Sequence, residues 1–144
     1  MMIGAFPRLL AAKVTGVTPA TLDNWNSRGI LDSTIAPGPP PQARLYTFRD
    51  LVAIRVLVEL REAGIDPRGL RRVVEYLRKR KGLSATEALA STSLVTDGHD
   101  VFELEGDVTL SALRRPGQRV VFVVPFDELV TELQIKARAA LQAA

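Results

Sequence analysis

The chemistry this 144-residue chain can offer lies mostly in hydrogen-bond donors and positive charge. Arg44 and Tyr46 close an extended stretch, RLY, that runs directly into a long apolar-periodic segment. A guanidinium presents a planar fork of donors and a phenol adds one hydroxyl, a pair suited to anionic oxygens. The plainer alternative makes Tyr46 a packing residue and Arg44 a solvated strand residue. Catalytic constellations are thin by comparison. There is no cysteine, which excludes disulfides, thiolate metal ligation and cysteine nucleophiles, and His99 is the single histidine. Asp97, His99 and Asp100 cluster in TDGHD, but they are few as metal ligands and a tight Asp-Gly turn accounts for them. No Walker loop, GxGxxG, GxSxG or HExxH occurs. The expectation is a protein that is not an enzyme, with no metal and no cofactor.

Composition narrows the class further. Hydrophobic residues make up 47% and charged residues 24%, as in ordinary soluble globular domains. No apolar run approaches the roughly 18 residues of a membrane span, and the N-terminus lacks a signal-peptide layout. A cytoplasmic location, at the nucleoid, and no membrane partner are expected. The net charge of +3 hides an asymmetry. Residues 1–82 hold 14 Lys/Arg against 7 Asp/Glu, and residues 83–144 hold 5 against 9. A basic half suggests an anionic partner, and an acidic half a different task.

The elements that must position these residues are legible from caps and periodicity. Pro7 to Leu31 reads as two short helices around a tight turn at Gly16, with Leu9, Leu10 and Val14 on the apolar face of the first. Thr18-Pro19 opens the second helix as N-cap and first helical residue, and Leu22 and Trp25 share its inward face. Thr21, Asn24, Ser27 and Arg28 are left outside. Four prolines and a glycine fill Pro37 to Pro41, so Ser33 to Phe48 reads as a hairpin with a stiff tip. Thr47 and Asp50 resemble a capping box ahead of a helix burying Phe48, Leu51, Val52, Ile54, Leu57, Val58 and Leu60. Asp66-Pro67 starts the next helix, about 68–81, which buries Leu70, Val73, Val74 and Leu77 and carries a cationic run through Lys81. Beyond Gly82 the texture changes. A short helix starts at Ser84 with Glu87 as a second capping box. A hairpin turns at Asp97-Gly98, another turn sits at Pro116-Gly117, and Arg119 to Val124 is a buried strand. A last helix from Phe126 lines up Leu129, Val130, Leu133, Ala137 and Leu141.

Helix, tight turn, helix, hairpin, helix, helix is the order of a winged helix-turn-helix. VTGVTPATLDNW (14–25) with RGIL (28–31), then RLYTFRDLVAIRVLVELREAGI (44–65), then LRRVVEYLR (70–78) resemble the DNA-binding domain of the MerR family of bacterial transcription regulators. The resemblance covers residues 6–82. It implies a MerR-like winged helix-turn-helix over residues 1–82. The residue pattern beyond Gly82 reads by itself as a small α+β domain over 83–144, which is not typical of the family, so the whole is expected to be mainly α with small β elements. The resemblance also implies a double-stranded DNA surface built from Thr18, Thr21, Asn24, Ser27, Arg28, Arg44, Tyr46, Arg49, Arg71 and Arg72, with Arg44 and Tyr46 against the backbone. The run from Arg71 through Lys81 has a plainer reading as a solvated helix end. One departure stands out. The family typically carries TLRYY or TLRRW, whereas this chain has Asp23 where the arginine contacts DNA.

The expected function is therefore sequence-specific DNA binding by a homodimeric transcriptional regulator, since one small helix-turn-helix reads few bases. Two alternatives stand beside it. One is a DNA-binding antitoxin whose acidic half, 83–144, holds a PIN-type toxin. The other is a protein-interaction adaptor with weak DNA affinity, which Asp23 favours. The final helix offers a dimer contact or a packing face for its own sheet.

Overall fold

The structure is a computed structural model that describes residues 5–35, 44–96, 100–103 and 122–143. The proline-rich wing tip, the Asp97-Gly98 turn with His99, the Pro116-Gly117 turn and the start of the Arg119 strand lie outside the described residues.

Local caps place the helices. A short strand β1 (Phe6–Pro7) leads into α1 (Arg8–Thr15). Gly16 then takes φ 80°, and its N–H closes on the Ala12 carbonyl. A left-handed residue here lets the chain reverse within three positions. Thr18 caps α2 (Pro19–Ser27), its hydroxyl accepting from the Thr21 N–H at 3.1 Å. Strands β2 (Thr34–Ile35) and β3 (Arg44–Tyr46) follow. The capping box opening α3 (Phe48–Glu62) is complete: Thr47 N–H donates to Asp50 at 2.8 Å and Asp50 N–H to Thr47 Oγ1 at 3.1 Å. Asp66 caps α4 (Pro67–Lys81), and Ser84 caps α5 (Ala85–Ser91). Strands β4 (Leu94–Thr96), β5 (Val101–Glu103) and β6 (Phe122–Val123) precede α6 (Phe126–Ala143).

Among the described residues two antiparallel sheets form, ordered β1-β3-β2 and β5-β4-β6. The wing is therefore three-stranded. Phe6 stands opposite Tyr46 and Thr34 opposite Leu45, so β3 is the central strand. Pro7, without an N–H to donate, sits on the edge strand where this is tolerated. Sequence periodicity did not anticipate β1, because two residues carry no period.

Helix α3 is the pillar. Nine of its residues are buried, from Asp50 to Leu60, because α1, α4, α5, α6 and β3 all pack against it. The stripe expected from periodicity is thus a nearly complete wrap. Two faces differ from expectation. In α1 the buried residues are Ala11, Ala12, Val14 and Thr15, while Leu9 is 68% exposed. Small side chains let α1 sit close to α2, α3 and α6. In α6, Leu129, Leu133 and Ala137 are buried and Leu141 is exposed. That helix packs back onto α1 and α3. The apolar stripe that suggested a dimer contact or a cover for the second sheet is thereby used inside the chain. One hydrophobic cluster runs from Phe6 to Ala137 across Gly82. No helix among the described residues is long and apolar enough to cross a membrane.

A long-range cap joins the halves. Asp32, just beyond α2, accepts from the N–H groups of Ala85 at 3.1 Å and Thr86 at 3.0 Å. Ser84 takes the Glu87 N–H at 3.2 Å. The first three orphan donors of α5 are thus satisfied, two of them from a residue over fifty positions away. Replacing Asp32 with Ala should lower stability by about 1–2 kcal/mol in urea denaturation, with Asp32→Asn losing less. Burial also raises the carboxyl of Asp50 above its ordinary value, against the hydrogen bonding with Thr47 that lowers it. The folded state then holds this proton more tightly than the unfolded chain, so its contribution falls as pH rises through that window. Wild-type stability relative to Asp50→Asn should therefore decrease from pH 4 upward and then level off. A difference that grows with pH would contradict this.

Candidate nucleic-acid interface

Leu22 and Trp25 anchor α2 in the core at 0% and 3% exposure. The opposite face presents Asp23, Asn24, Ser27 and Arg28 to solvent, with Thr21 half-buried beside them. Thr18 and Thr21 share a hydroxyl bond of 2.9 Å at the helix start, and Ser27 Oγ donates to the Asn24 carbonyl at 3.0 Å. Among the described residues the Asn24 carboxamide and the Arg28 guanidinium show no side-chain hydrogen bond or ion pair. Both can therefore serve an external ligand. Asn suits the N6/N7 edge of adenine and Arg suits a phosphate or guanine.

The angle between this face and the wing is set by Asn26, which sequence reasoning missed. Its Nδ2 donates to the Leu22 carbonyl at 2.9 Å and to the Tyr46 hydroxyl at 3.0 Å. Its Oδ1 accepts from Ser33 Oγ at 2.8 Å and from Ser33 N–H at 3.2 Å. Arg44 continues the network, its Nη1 donating to the Ser33 carbonyl at 3.2 Å. The only hint in the sequence was a polar residue next to Trp25.

Tyr46 requires a correction. It is 0% exposed and its hydroxyl is engaged by Asn26, so it is a packing and bracing residue that does not reach a phosphate. β3 alternates sides, and the register opposite buried Phe6 turns Tyr46 inward. Arg44, two positions away, is half-buried at the wing beside α2. Asp23 is affected from both directions. A hydrogen bond from Arg8 chiefly, then the charges of Arg8 and Arg44, hold its carboxyl below the ordinary range against a smaller opposing cost of burial. Its charge is thus matched rather than bare.

The remaining cations are not gathered on this face. Arg49 is exposed, with its nearest carboxylate, Glu87 of α5, at 3.9 Å. Arg71 is paired with Glu75 at 3.1 Å. Arg72 borders a cleft of about 240 Å³ between α4 and the second sheet, with Val73, Tyr76, Leu94 and Val101. Arg80 and Lys81 both bind Glu103 of β5, at 2.6 and 3.1 Å. The basic run of α4 is thus partly neutralised by the acidic half. Behind α2, Arg61 stacks over the Trp25 ring at 5.6 Å, a cation–π contact. Among the described residues no three His, Asp or Glu side chains converge as metal ligands.

The geometry is that of a helix-turn-helix with a wing, and comparison with known proteins agrees. The profile of MerR HTH family regulatory proteins matches residues 11–84, more than half of the chain. The chain belongs to the MerR HTH family. HTH-type transcriptional regulators from Mycobacterium bovis and Mycobacterium tuberculosis are similar to it, each 30% identical over 112 residues, covering 76% of this chain and 48% of theirs. The chain spans about half the length of the curated relatives it matches. The MerR match starts within α1, takes in α2 to α4, strands β2 and β3 of the wing and the Ser84 cap of α5, and leaves β1 and Arg8 before its start.

The bracing role of Tyr46 is testable by stability. Tyr46→Phe should cost about 1 kcal/mol through the lost partner of Asn26, and Asn26→Ala roughly 2–3 kcal/mol, both read in chemical denaturation. No loss in Tyr46→Phe would mean that its hydroxyl faces water.

Proposed function

We propose that this MerR-family chain is a sequence-specific double-stranded DNA-binding regulator of transcription that acts as a homodimer. The observation that carries the reading is the braced pair of α2 and wing, with Asn24 and Arg28 available on one and Arg44 on the other. A recognition helix needs a fixed orientation toward base edges, and phosphate contacts supply it. Here Thr21, Asn24 and Ser27 read bases, while Arg28 and Arg44 grip phosphates. Dimerisation follows from the small footprint of one helix-turn-helix, and Ile135 and Leu141 of α6 are the exposed apolar residues nearest the C-terminus that a second copy could cover. The relatives in two mycobacterial species, named as transcriptional regulators, support the same reading. A cytoplasmic, nucleoid-associated location goes with it. The adaptor alternative loses its support, because Asp23 is ion-paired with Arg8 instead of standing unpaired on the α2 face.

Selection of bound duplexes from a random pool, at two salt concentrations, tests the reading. Wild type should enrich one sequence, with affinity falling steeply as salt rises. Arg44→Ala should weaken binding to all sequences alike and lower the salt slope by roughly one unit, whereas Asn24→Ala should change the preferred sequence. If neither substitution alters binding to the enriched site, the footprint is wrong.

A further inference from the structure

The exposed face of α2 carries an ion pair that folding does not account for. Arg8, the first residue of α1, reaches across to Asp23. Its Nε donates to Oδ1 at 2.9 Å and its Nη2 to Oδ2 at 2.7 Å. The side chains stay about half exposed, at 42% and 50%. Pairs in such contact with solvent add little to stability. Their position is more telling. Asp23 and buried Trp25 are two residues apart on α2, which at 3.6 residues per turn sets them about 200° around the helix from each other. Asp23 is therefore on the outward side of α2, about 40° around the helix from Ser27 and about 100° from Asn24, and it carries Arg8 there with it.

The way the pair is made matters as much as where. A guanidinium has five N–H donors. Asp23 takes the side-on pair, Nε–H and one hydrogen of Nη2. The end-on fork remains, with both hydrogens of Nη1 and the second of Nη2. That fork is complementary to O6 and N7 of guanine in the major groove. A bidentate carboxylate also fixes the plane of the guanidinium, so the fork is aimed before any ligand arrives. The hydrogen bond and the cations around Asp23 keep its carboxyl ionised at neutral pH, so the clamp persists there.

We propose that Arg8, oriented by Asp23, is a guanine-reading residue of the interface, its end-on fork meeting the O6/N7 edge of one base. The inference rests on the DNA-binding reading above. It gives the outward carboxylate of α2 a positive use, since Asp23 aims a cation from the neighbouring helix. It also extends the recognition surface to a residue ahead of the segment matched to the family.

The test is duplex selection with wild type, Arg8→Ala, Arg8→Lys, Asp23→Ala and Arg44→Ala, with a thermal melt of each to establish that it is folded. Wild type should recover guanine at one fixed position. Arg8→Ala should lose preference for that guanine by roughly 5- to 100-fold. Arg8→Lys should lose it too while keeping the salt slope, because it retains the charge and lacks the fork. Asp23→Ala should blur the preference and raise affinity for unrelated DNA. An unchanged preference in Arg8→Ala, or full preference in Arg8→Lys, overturns the assignment. If Arg44→Ala still lowers the salt slope in that case, DNA binding itself stands. If wild type enriches no duplex at either salt concentration, both proposals fall together.

Discussion

The carboxamide of Asn26 is bonded at both ends, through Nδ2 to Leu22 and Tyr46 and through Oδ1 to Ser33, and the relation between α2 and the wing depends on it. A buried or half-buried amide that keeps all its partners rigidifies its surroundings, because any movement strands a polar group away from water. Tyr46 lies under this bond and Arg44 beyond it, so a single network runs from the interior of α2 to a guanidinium on the wing. A proposed reading head of two small elements requires such a brace, since base contacts and phosphate contacts are useful only in fixed register with each other.

Charge acts through placement more than through quantity. The basic half carries 14 Lys/Arg, but several are matched by carboxylates: Arg8 by Asp23, Arg55 by Glu59, Arg71 by Glu75, and Arg80 and Lys81 by Glu103. The last pairing crosses from α4 to the second sheet, and Asp32 crosses the other way to cap α5. The acidic half is thus tied electrostatically and by helix capping to the region ahead of it. α6 adds an apolar tie by lying against α1 and α3. A displacement of α5 or α6 would reach the helix-turn-helix through these contacts without an intervening linker.

What the sequence disclosed and what it withheld divide along locality. Thr18-Pro19, Thr47 with Asp50, Asp66-Pro67 and Ser84 each start a helix where the residue types say one should start, because a cap is decided within three or four positions. The winged helix-turn-helix order and the inward pair Leu22 and Trp25 were legible for the same reason. Contacts between distant positions were not. Nothing local announces that Asp32 caps a helix at 85, that Arg8 meets Asp23, or that Asn26 holds Tyr46. The inward turn of Tyr46 depends on pairing with β1, a strand too short to have a period. Leu9 looked like core by its type, yet the close fit of Ala11 and Ala12 turns it outward. α6 shows its apolar stripe plainly, but a stripe does not name the surface that receives it.

Backbone amide shifts followed by NMR, as the enriched duplex is titrated into the labelled protein, test the central claim most directly. The expected result is a single cluster of large shifts on Thr21, Asn24, Ser27, Arg28 and Arg44, moving together with Asn26 and Ser33 because the brace transmits the contact. Shifts confined to α4 or α6, with the α2 face and the wing unmoved, would contradict it.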